Sequence, residues 1–416
     1  APESYLSIPA LLAAARCAGA TAVHPGYGFL AESPAFAAAC AEAGLLFVGP
    51  PAPVLARLGS KIEARQAMAA VGVPVVPGAT PADQSDGAIA RAVRRIGLPA
   101  VLKAAAGGGG KGMRVVRAPG ELPEAVAGAR REAESAFGDP TLYVERLIAG
   151  ARHVEVQVFA DAHGDTVHLF ERDCSLQRRH QKVIEESPSP AVTPALRERL
   201  GAAAVAAARA AGYVNAGTVE FLLAGQGDDA PFYFLEMNTR LQVEHTVTEL
   251  VTGTDLVQAQ LDVALGRALP WKQEEIASRG HALECRVYAE DPAAGFLPQA
   301  GCLALYREPS GPGIRADGGV AEGDEVTVHY DPLLAKLIVW AESREAAIAR
   351  ARAALARFPI LGVRTNVAFL RRVLDSGPFR AGAADTEFLD RAGAALAAVP
   401  APPPVALAVA ALHAEA

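Results

Sequence analysis

The sequence predicts a multidomain chain that combines α/β and α+β folds. Its 416 residues are enough for roughly two to three domains. Hydrophobic residues make up 51 % and charged residues 20 %, a balance that predicts sizeable cores and excludes a disordered chain. Helical stretches alternate with short apolar segments up to residue 72, whereas strand-like segments dominate after residue 153. Alternation is typical of a parallel α/β sheet, and a run of strands is typical of an α+β fold.

The alternating pattern occupies the first part of the chain. Alanine- and leucine-rich stretches predict helices, and short apolar runs predict buried strands. The predicted helices are residues 4–16, 34–43 and 61–71, and the predicted strands are residues 20–24 and 45–48. Two strands are too few for an independent sheet. Because the chain also opens on Ala1 rather than Met, we expect further sequence to precede it.

A compact α+β unit is predicted next, followed by a region rich in strands. The predicted strands of the unit are residues 99–104, 113–117 and 142–147, and its helix is 121–137. Beyond it, the predicted strands are 154–160, 166–171, 218–223 and 232–236, and the predicted helices are 194–211 and 254–265. Another α+β block spans 281–389, and the Pro/Ala-rich residues after Gly393 are typical of a linker.

Net charge and cysteine usage exclude several classes of protein. The formal net charge of −7 argues against a broad nucleic-acid-binding surface. The cysteines lie far apart without a CxxC pair, which excludes a disulfide framework and a zinc site of familiar spacing; they are Cys17, Cys40, Cys174, Cys285 and Cys302. No segment predicts a signal peptide or a transmembrane helix. We therefore expect a cytoplasmic protein with no membrane partner.

The glycine-rich segment 107–112, GGGGKG, fits no common nucleotide-binding fingerprint. A Rossmann loop leads into a helix, but a predicted strand follows here, and a Walker A loop needs Ser or Thr where Gly112 stands. The kinase motifs that accompany a glycine hairpin are not in the sequence. A strand–glycine–strand hairpin favours a flap over nucleotide phosphates, with Lys103 in the preceding strand as their partner. A plain turn with a solvated lysine is the alternative.

Two glutamates interrupt apolar strands, where an unpaired charge is costly. Glu220 lies in the predicted strand 218–223, and Glu236 precedes Asn238 by two residues in the next strand, so those two side chains share one face. Carboxylate and amide oxygens suit Mg²⁺, which keeps substrate phosphates and waters as its other ligands. Pairing of the glutamates with Arg or Lys is the alternative.

The polar residues that follow, Arg240, Gln242 and Glu244, alternate along the chain. On extended backbone they would share one face beside the metal group. The arginine offers a planar fork for a small oxyanion, and Glu244 could serve as a general base; a solvated charged face is the alternative. The basic run at 177–182 is by default a solvated loop, and His153 a structural histidine.

Seven segments, in order, resemble biotin carboxylase, an ATP-grasp enzyme, over nearly all of residues 3–390. They are 24–32 (HPGYGFLAE), 103–113 (KAAAGGGGKGM), 152–157 (RHVEVQ), 171–182 (ERDCSLQRRHQK), 236–245 (EMNTRLQVEH), 281–291 (HALECRVYAED) and 330–337 (YDPLLAKL). The resemblance implies an ATP-grasp fold with a truncated Rossmann-like N-terminal domain and a C-terminal biotin carboxylase domain. The implied divisions are 1–48 (N-terminal domain), 49–265 (ATP-grasp domain, with a mobile lid at about 76–147), 280–390 (C-terminal domain) and 393–416 (linker or tail).

The resemblance also implies a role for each site residue. The ATP phosphates would be held by Lys61 and Lys103, under a lid that contains Gly109 and Gly110. Adenine would be read by the hinge residues Glu145, Arg146, Leu147 and Ile148, helped by His180, with Gln177 in the same set and His153 near the ribose. Mg²⁺ or Mn²⁺ would be bound by Glu220, Glu236 and Asn238. Bicarbonate would be held by Lys182, Arg240, Gln242 and the Val243 backbone, with Glu244 as its base and Arg286 facing bicarbonate and biotin.

The implied reaction is the ATP-dependent carboxylation of biotin. Glu244 would deprotonate bicarbonate, which attacks the γ-phosphate of ATP to give carboxyphosphate. This breaks down to CO₂ and phosphate, and the phosphate takes the biotin N1′ proton so that the nitrogen attacks CO₂. The sequence has no Met-Lys-Met biotin-attachment motif, so biotin should arrive on a separate carrier domain.

The implied partners follow from the segments 307–313 and 328–332, which resemble acyl-CoA carboxylase α subunits of the methylcrotonyl-CoA type more than stand-alone biotin carboxylase. The implied partners are a biotin carboxyl carrier domain, a carboxyltransferase subunit and a second copy of the chain or a larger complex. Two alternatives stay open. One is another ATP-grasp ligase that activates a carboxylate for an amine, and the other is a truncated, non-catalytic fragment.

Overall fold

A computed structural model describes residues 2–105, 112–179, 181–398 and 404–405. The α-helices are α1 Ile8–Cys17, α2 Pro34–Glu42, α3 Ala52–Gly59, α4 Lys61–Ala70, α5 Asp86–Ile96, α6 Leu122–Phe137, α7 Pro194–Ala210, α8 His245–Thr252, α9 Leu256–Ala264, α10 Arg344–Ala356, α11 Val367–Asp375, α12 Gly377–Arg380 and α13 Phe388–Ala397. Three residues assigned a role above, Gly109, Gly110 and His180, lie outside the described residues.

The β-strands extend from the N-terminal segment to residue 361. They are β1 Ala22–Val23, β2 Leu46–Phe47, β3 Gly78–Ala79, β4 Ala100–Ala104, β5 Arg114–Val116, β6 Leu142–Arg146, β7 Arg152–Ala160, β8 Thr166–Arg178, β9 Gln181–Ser187, β10 Asn215–Leu223, β11 Phe232–Asn238, β12 His281–Tyr288, β13 Glu290–Asp291, β14 Leu297–Pro298, β15 Gly301–Cys302, β16 Leu305–Tyr306, β17 Ile314–Gly318, β18 Glu325–Val326, β19 Leu333–Ala341 and β20 Ile360–Leu361.

The N-terminal elements form a small α/β layer. β1 and β2 pair in parallel, with Ala22 opposite Leu46, as the alternating pattern predicts. Helices α1 and α2 begin after Ser7 and Ser33, whose hydroxyls accept hydrogen bonds from first-turn amides. Sequence analysis does not predict α3, which has proline in its first turn, a position that suits this residue.

A four-stranded antiparallel sheet, ordered β3-β6-β4-β5, forms the next layer. Helices α5 and α6 cover it, and Ile89, Leu102, Ala129 and Leu142 share its core. Because β4 and β5 flank the glycine-rich segment and pair with each other, the predicted strand–glycine–strand arrangement is confirmed.

The main sheet contains eight antiparallel strands in the order β11-β10-β7-β8-β9-β12-β19-β17. Helix α7 packs on its first half, where Leu196 and Phe221 share a core. Helices α10, α11 and α13 pack on the second half, where Leu337 and Phe369 share another. The pairing of β9 with β12 joins the two halves, so the sheet runs without a break from the strands of residues 152–238 into those of residues 281–341.

Two sequence predictions about local structure are wrong. The basic run at 177–182 is not a solvated loop in its described residues: β8 extends to Arg178, β9 begins at Gln181, and the two strands pair, with Gln177 opposite Lys182. The predicted linker start at Gly393 falls inside α13, which continues to Ala397 and buries both residues. In the part of the chain that the structure describes, no helix is long and apolar enough to cross a membrane.

Candidate active site

A cleft of about 1110 Å³ opens between the two sheets and the N-terminal layer. Sixteen of the residues to which sequence analysis assigns a role line it. They are Lys61, Lys103, Glu145, Arg146, Leu147, Ile148, His153, Gln177, Lys182, Glu220, Glu236, Asn238, Arg240, Gln242, Val243 and Arg286. Glu244 is buried beneath this lining, in contact with two of the residues on it, as described next.

The Lys182 ammonium group lies at the centre of the charged residues. Its Nζ is 2.5 Å from a Glu155 oxygen, 3.0 Å from a Glu220 oxygen and 2.5 Å from a Glu244 oxygen. These carboxylates come from β7, from β10 and from the residue that precedes α8. Burial opposes the lysine charge, but the three carboxylates outweigh burial and raise the pKa of Lys182 well above its ordinary value.

Glu244 is held as a carboxylate by two cations. Lys182 contacts one of its oxygens, and Arg286 Nη2 donates to the other at 2.9 Å. Burial would raise the pKa of Glu244, but these cations and the nearby Arg172 lower it well below its ordinary value. Glu244 is also the N-cap of α8, a position where the helix dipole favours a negative charge.

The segment from Arg240 to Glu244 is not extended, which corrects the sequence prediction. Its backbone bends and then turns into α8. The side chains still converge: Arg240 Nη1 donates to Gln242 Oε1 at 3.1 Å, and Gln242 Nε2 lies 3.4 Å from a Glu220 oxygen. Lys336 Nζ of β19 donates to the Val243 carbonyl at 2.7 Å, so the C-terminal half of the main sheet fixes this turn.

The proposed metal ligands lie on two neighbouring strands. Glu220 of β10 and Glu236 of β11 are directly opposite each other, an arrangement in which like charges repel. Asn238 Nδ2 donates to a Glu220 oxygen at 2.8 Å, and Lys61 Nζ lies 3.3 Å from a Glu236 oxygen. Each glutamate therefore has a cation partner already, Lys182 or Lys61, while the opposed carboxylates also fit a divalent cation between the strands.

Lys103 has a carboxylate partner that sequence analysis does not identify. Its Nζ is 2.6 Å from a Glu145 oxygen, and Arg65 Nη1 contacts the other oxygen of Glu145 at 2.5 Å. Lys103 thus has a counter-charge inside the protein, and the phosphate partner expected from the sequence stays a prediction. The Glu145 side chain, expected in the adenine hinge, is thus shared between two cations, and its neighbours 146–148 line the cleft.

His153 is buried beside the same carboxylates. Its Nε2 is 3.1 Å from a Glu220 oxygen and 3.7 Å from a Glu155 oxygen. Burial would lower the pKa of His153, but the charge of the nearby Glu220 carboxylate outweighs burial, and the pKa is raised. The histidine therefore carries more positive charge near Glu220 than an ordinary histidine would.

Sequence analysis misses the residues beneath the cleft. Arg172 of β8 is fully buried and donates to Glu155 at 2.6 Å, to Gln157 at 2.8 Å, to Thr248 at 3.0 Å and to Thr218 at 3.1 Å. It connects β7, β10 and α8 under Lys182. The alternation of His153, Glu155 and Gln157 in strand β7 is the signal that could have marked this polar face.

Comparison with known proteins bears directly on this site. The biotin carboxylase of Halalkalibacterium halodurans is 51 % identical over 387 residues, which cover 93 % of this chain and 85 % of that protein. The chain belongs to the biotin carboxylase family. Family models match the biotin carboxylase N-terminal domain at residues 1–55, the carbamoyl-phosphate synthase L chain ATP-binding domain at 60–272 and the biotin carboxylase C-terminal domain at 284–391.

The chain is also similar to a part of longer carboxylase subunits. The mitochondrial methylcrotonoyl-CoA carboxylase subunit α of Rattus norvegicus is 50 % identical over 388 residues, which are 93 % of this chain but 54 % of that protein. The chain thus spans about half the length of such curated relatives.

One similar solved structure is the biotin carboxylase domain of Hydrogenobacter thermophilus 2-oxoglutarate carboxylase, a dimer in complex with MgADP, ADP and bicarbonate. It has a TM-score of 0.91 and 42 % identity, over 95 % of this chain and 87 % of that one. A Campylobacter jejuni biotin carboxylase complex has a TM-score of 0.90 and 45 % identity, over 94 % of this chain and 86 % of that one. The predicted ATP-grasp fold class is confirmed.

We predict that Arg172→Met lowers the free energy of unfolding by about 3–5 kcal/mol, because it leaves buried Glu155 without its arginine partner. Urea unfolding measures this. Arg267→Met, which breaks an exposed ion pair with Asp262, is the control and should cost about 1 kcal/mol or less. Equal losses in the two variants would contradict the structural role of Arg172.

Proposed function

We propose that this member of the biotin carboxylase family uses ATP and bicarbonate to carboxylate biotin, the first half-reaction of an acyl-CoA carboxylase. One observation carries the proposal: a buried carboxylate, Glu244, lies between two cations, Lys182 and Arg286, next to the opposed glutamates of a metal-type site. Such a site can hold a small oxyanion beside a proton acceptor and beside metal-bound phosphates. The bicarbonate and MgADP in the Hydrogenobacter thermophilus complex support the same pair of ligands here.

The cationic side chains around Glu244 are suited to bind bicarbonate. Arg240 and Arg286 line the cleft and present planar donors for a carbonate-type anion, while Lys182 supplies a point charge. Gln242 and the Val243 backbone follow Arg240 in the segment that turns into Glu244. This grouping supports the bicarbonate-binding roles proposed for these residues.

Glu244 can act as the general base only if its pairing with cations loosens. With Lys182 and Arg286 in direct contact, its pKa lies well below the ordinary value, and such a carboxylate is a weak base. A bound bicarbonate would compete for the same two cations. As the lysine and arginine turn toward the anion, the pKa of Glu244 rises, and its oxygen becomes able to take the bicarbonate proton.

ATP would bind across the rest of the cleft. Lys61 and Lys103 would contact its phosphates beneath the glycine-rich lid, which includes Gly109 and Gly110. The adenine would lie against residues 145–148, with Gln177, His180 and His153 nearby. Mg²⁺ held by Glu220, Glu236 and Asn238 would neutralise phosphate charge during attack by bicarbonate. We propose the corresponding divisions at 1–48, 49–265 and 280–390.

Biotin would reach the site near Arg286, on a carrier domain. Arg286 contacts Glu244 from β12, in the C-terminal half of the main sheet, so it can face both the anion and an incoming ureido ring. The carrier domain, a carboxyltransferase subunit and a second copy of this chain are the partners we propose. The dimer recorded for the Hydrogenobacter thermophilus domain supports the last of them.

The proposal is tested with purified chain, MgATP, radiolabelled bicarbonate and free biotin. Label should enter biotin only when ATP is present, and release of phosphate should depend on bicarbonate. A ligase of another type would release phosphate with an amine and a different carboxylate instead. Phosphate release that requires neither bicarbonate nor biotin would overturn the proposal.

We predict that Glu244→Gln lowers bicarbonate-dependent ATP cleavage by about 10²–10⁴, the usual cost of losing a positioned general base. MgATP binding should stay within a few-fold, because Glu244 lies beneath the anion-binding end of the cleft. Steady-state phosphate release and equilibrium nucleotide binding measure the two effects. Unchanged turnover would remove Glu244 from the mechanism.

We also predict that Glu236→Gln raises the Mg²⁺ concentration needed for half-maximal activity more than Glu220→Gln does. Glu236 is about one-third exposed and has one cation contact, so its oxygens are accessible to a metal. Glu220 is already bound by Lys182, His153 and Asn238. Mg²⁺ titration of the two isosteric variants compares them directly, and the reverse order would assign the main ligand to Glu220.

A further inference from the structure

Two buried glutamates behind the cleft present an unusual electrostatic arrangement. Glu185 of β9 and Glu284 of β12 are directly opposite each other in the antiparallel register. Both are fully buried. Directly opposite residues have Cβ atoms about 4.5–5.5 Å apart, and like charges in that position repel. Two ionised carboxylates so placed would be costly in a low-dielectric interior.

In each of these two carboxyl groups, one oxygen accepts a hydrogen bond and the other has no partner among the described residues. Glu185 Oε1 accepts from Arg286 Nε at 2.5 Å. Glu284 Oε2 accepts from the Thr246 hydroxyl and lies 3.8 Å from Lys336 Nζ. The other oxygens, Glu185 Oε2 and Glu284 Oε1, are buried and have no hydrogen-bond partner in the described parts of the chain. Buried oxygens without a partner are rare in folded proteins and need an explanation.

We propose that Glu185 and Glu284 share one proton, so that Glu185 is a neutral acid whose Oε2–H donates to Glu284 Oε1. One proton satisfies both unpartnered oxygens and removes the repulsion between the strands. Glu284 keeps the negative charge, because Lys336 and Thr246 stabilise it. Glu185 keeps the proton, and its remaining oxygen still accepts from Arg286.

The surrounding charges agree with a protonated carboxyl group at Glu185. Burial, opposed by Arg286 and reinforced by the Glu284 and Glu244 carboxylates, raises the pKa of Glu185 to about 8. The pKa of Glu284 is raised too, by burial, although Lys336 and Arg286 oppose it. The titratable and charged groups that face the pair are Arg286, Cys285 and Tyr288 of β12, Lys182 of β9, Cys174 of β8, Lys336 of β19 and Glu244 before α8.

The pair would act as a positioning device for Arg286, a role that rests on the proposed function. A neutral Glu185 leaves the arginine charge available to Glu244 and to an incoming anion. Once Glu185 loses its proton, its own charge draws Arg286 away from the cleft. Biotin-dependent turnover should therefore fall as pH rises above about 8, and Glu185→Gln, which stays neutral, should move this alkaline limb to higher pH.

Stability against pH tests the shared proton without any assay of activity. Between the ordinary glutamate pKa of 4.5 and about 8, the folded chain would hold a proton that the unfolded chain has lost, so stability falls as pH rises. Relative to Glu185→Gln, the folding equilibrium constant of the unaltered chain should drop about tenfold per pH unit in this window. Glu284→Gln removes the carboxylate opposite Glu185 and should make the same slope smaller, which provides the test if Glu185→Gln does not fold.

The control is Glu186→Gln, the neighbouring buried glutamate on the opposite face of β9. Its carboxylate is paired with His281 and Arg344, and although burial opposes this, these partners lower its pKa. Its own titration lies below about pH 5, so this variant should keep the fall in stability with rising pH that Glu185→Gln removes.

Infrared titration of the unaltered chain gives a direct readout. A protonated carboxyl band should be present at about pH 7, should disappear as the pH passes 8, and should be missing from Glu185→Gln. Absence of the band, or a slope that Glu185→Gln and Glu284→Gln both retain, would overturn the shared proton. An inactive chain that shows the band and the slope would overturn the proposed function and leave the pair intact.

Discussion

The contact of one lysine with three carboxylates is the constraint on which the rest of the site depends. Lys182 meets Glu155, Glu220 and Glu244, all of them buried. Buried carboxylates are tolerated only when cations and hydrogen bonds compensate the loss of water. Because the three come from β7, β10 and the start of α8, a single ammonium group fixes the relative positions of two strands and a helix. The proposed base and the proposed metal site are therefore coupled through one side chain.

The continuous main sheet places this lysine beside Arg286. The β9–β12 pairing brings a strand from the ATP-grasp region next to one from the C-terminal region, so groups about 100 residues apart in sequence contact each other, as Glu185 and Arg286 do. Arg286 then reaches Glu244 across the same seam. A site built on paired strands is more rigid than one carried by loops, which suits a reaction that must hold an anion, a nucleotide and a ureido ring together.

Sequence analysis identifies the fold class, the family through seven segments that resemble biotin carboxylase, and sixteen of the residues that line the cleft. Polar side chains that interrupt apolar strands are visible in the linear pattern itself. Glu220, Glu236 and Asn238 are examples. It does not identify partners that depend on register. Lys103 is predicted to need a counter-charge, but its partner Glu145 is supplied by β6 through strand pairing. The opposition of Glu185 and Glu284 depends likewise on the β9–β12 register, and the run at 177–182 resembles an exposed loop because strands that face a polar cleft are themselves charged.

The pH dependence of stability in Lys182→Met tests the central claim most directly. With Lys182 in place, burial of Glu220 and Glu244 is outweighed by their cations, which lower both pKa values. Without the lysine these pKa values should rise above the ordinary 4.5, so the folded variant would bind protons that its unfolded state has lost. Urea unfolding should show a stability loss that grows as pH rises from about 5 to about 8. A loss of the same size at every pH would contradict an account in which Lys182 neutralises the carboxylate cluster.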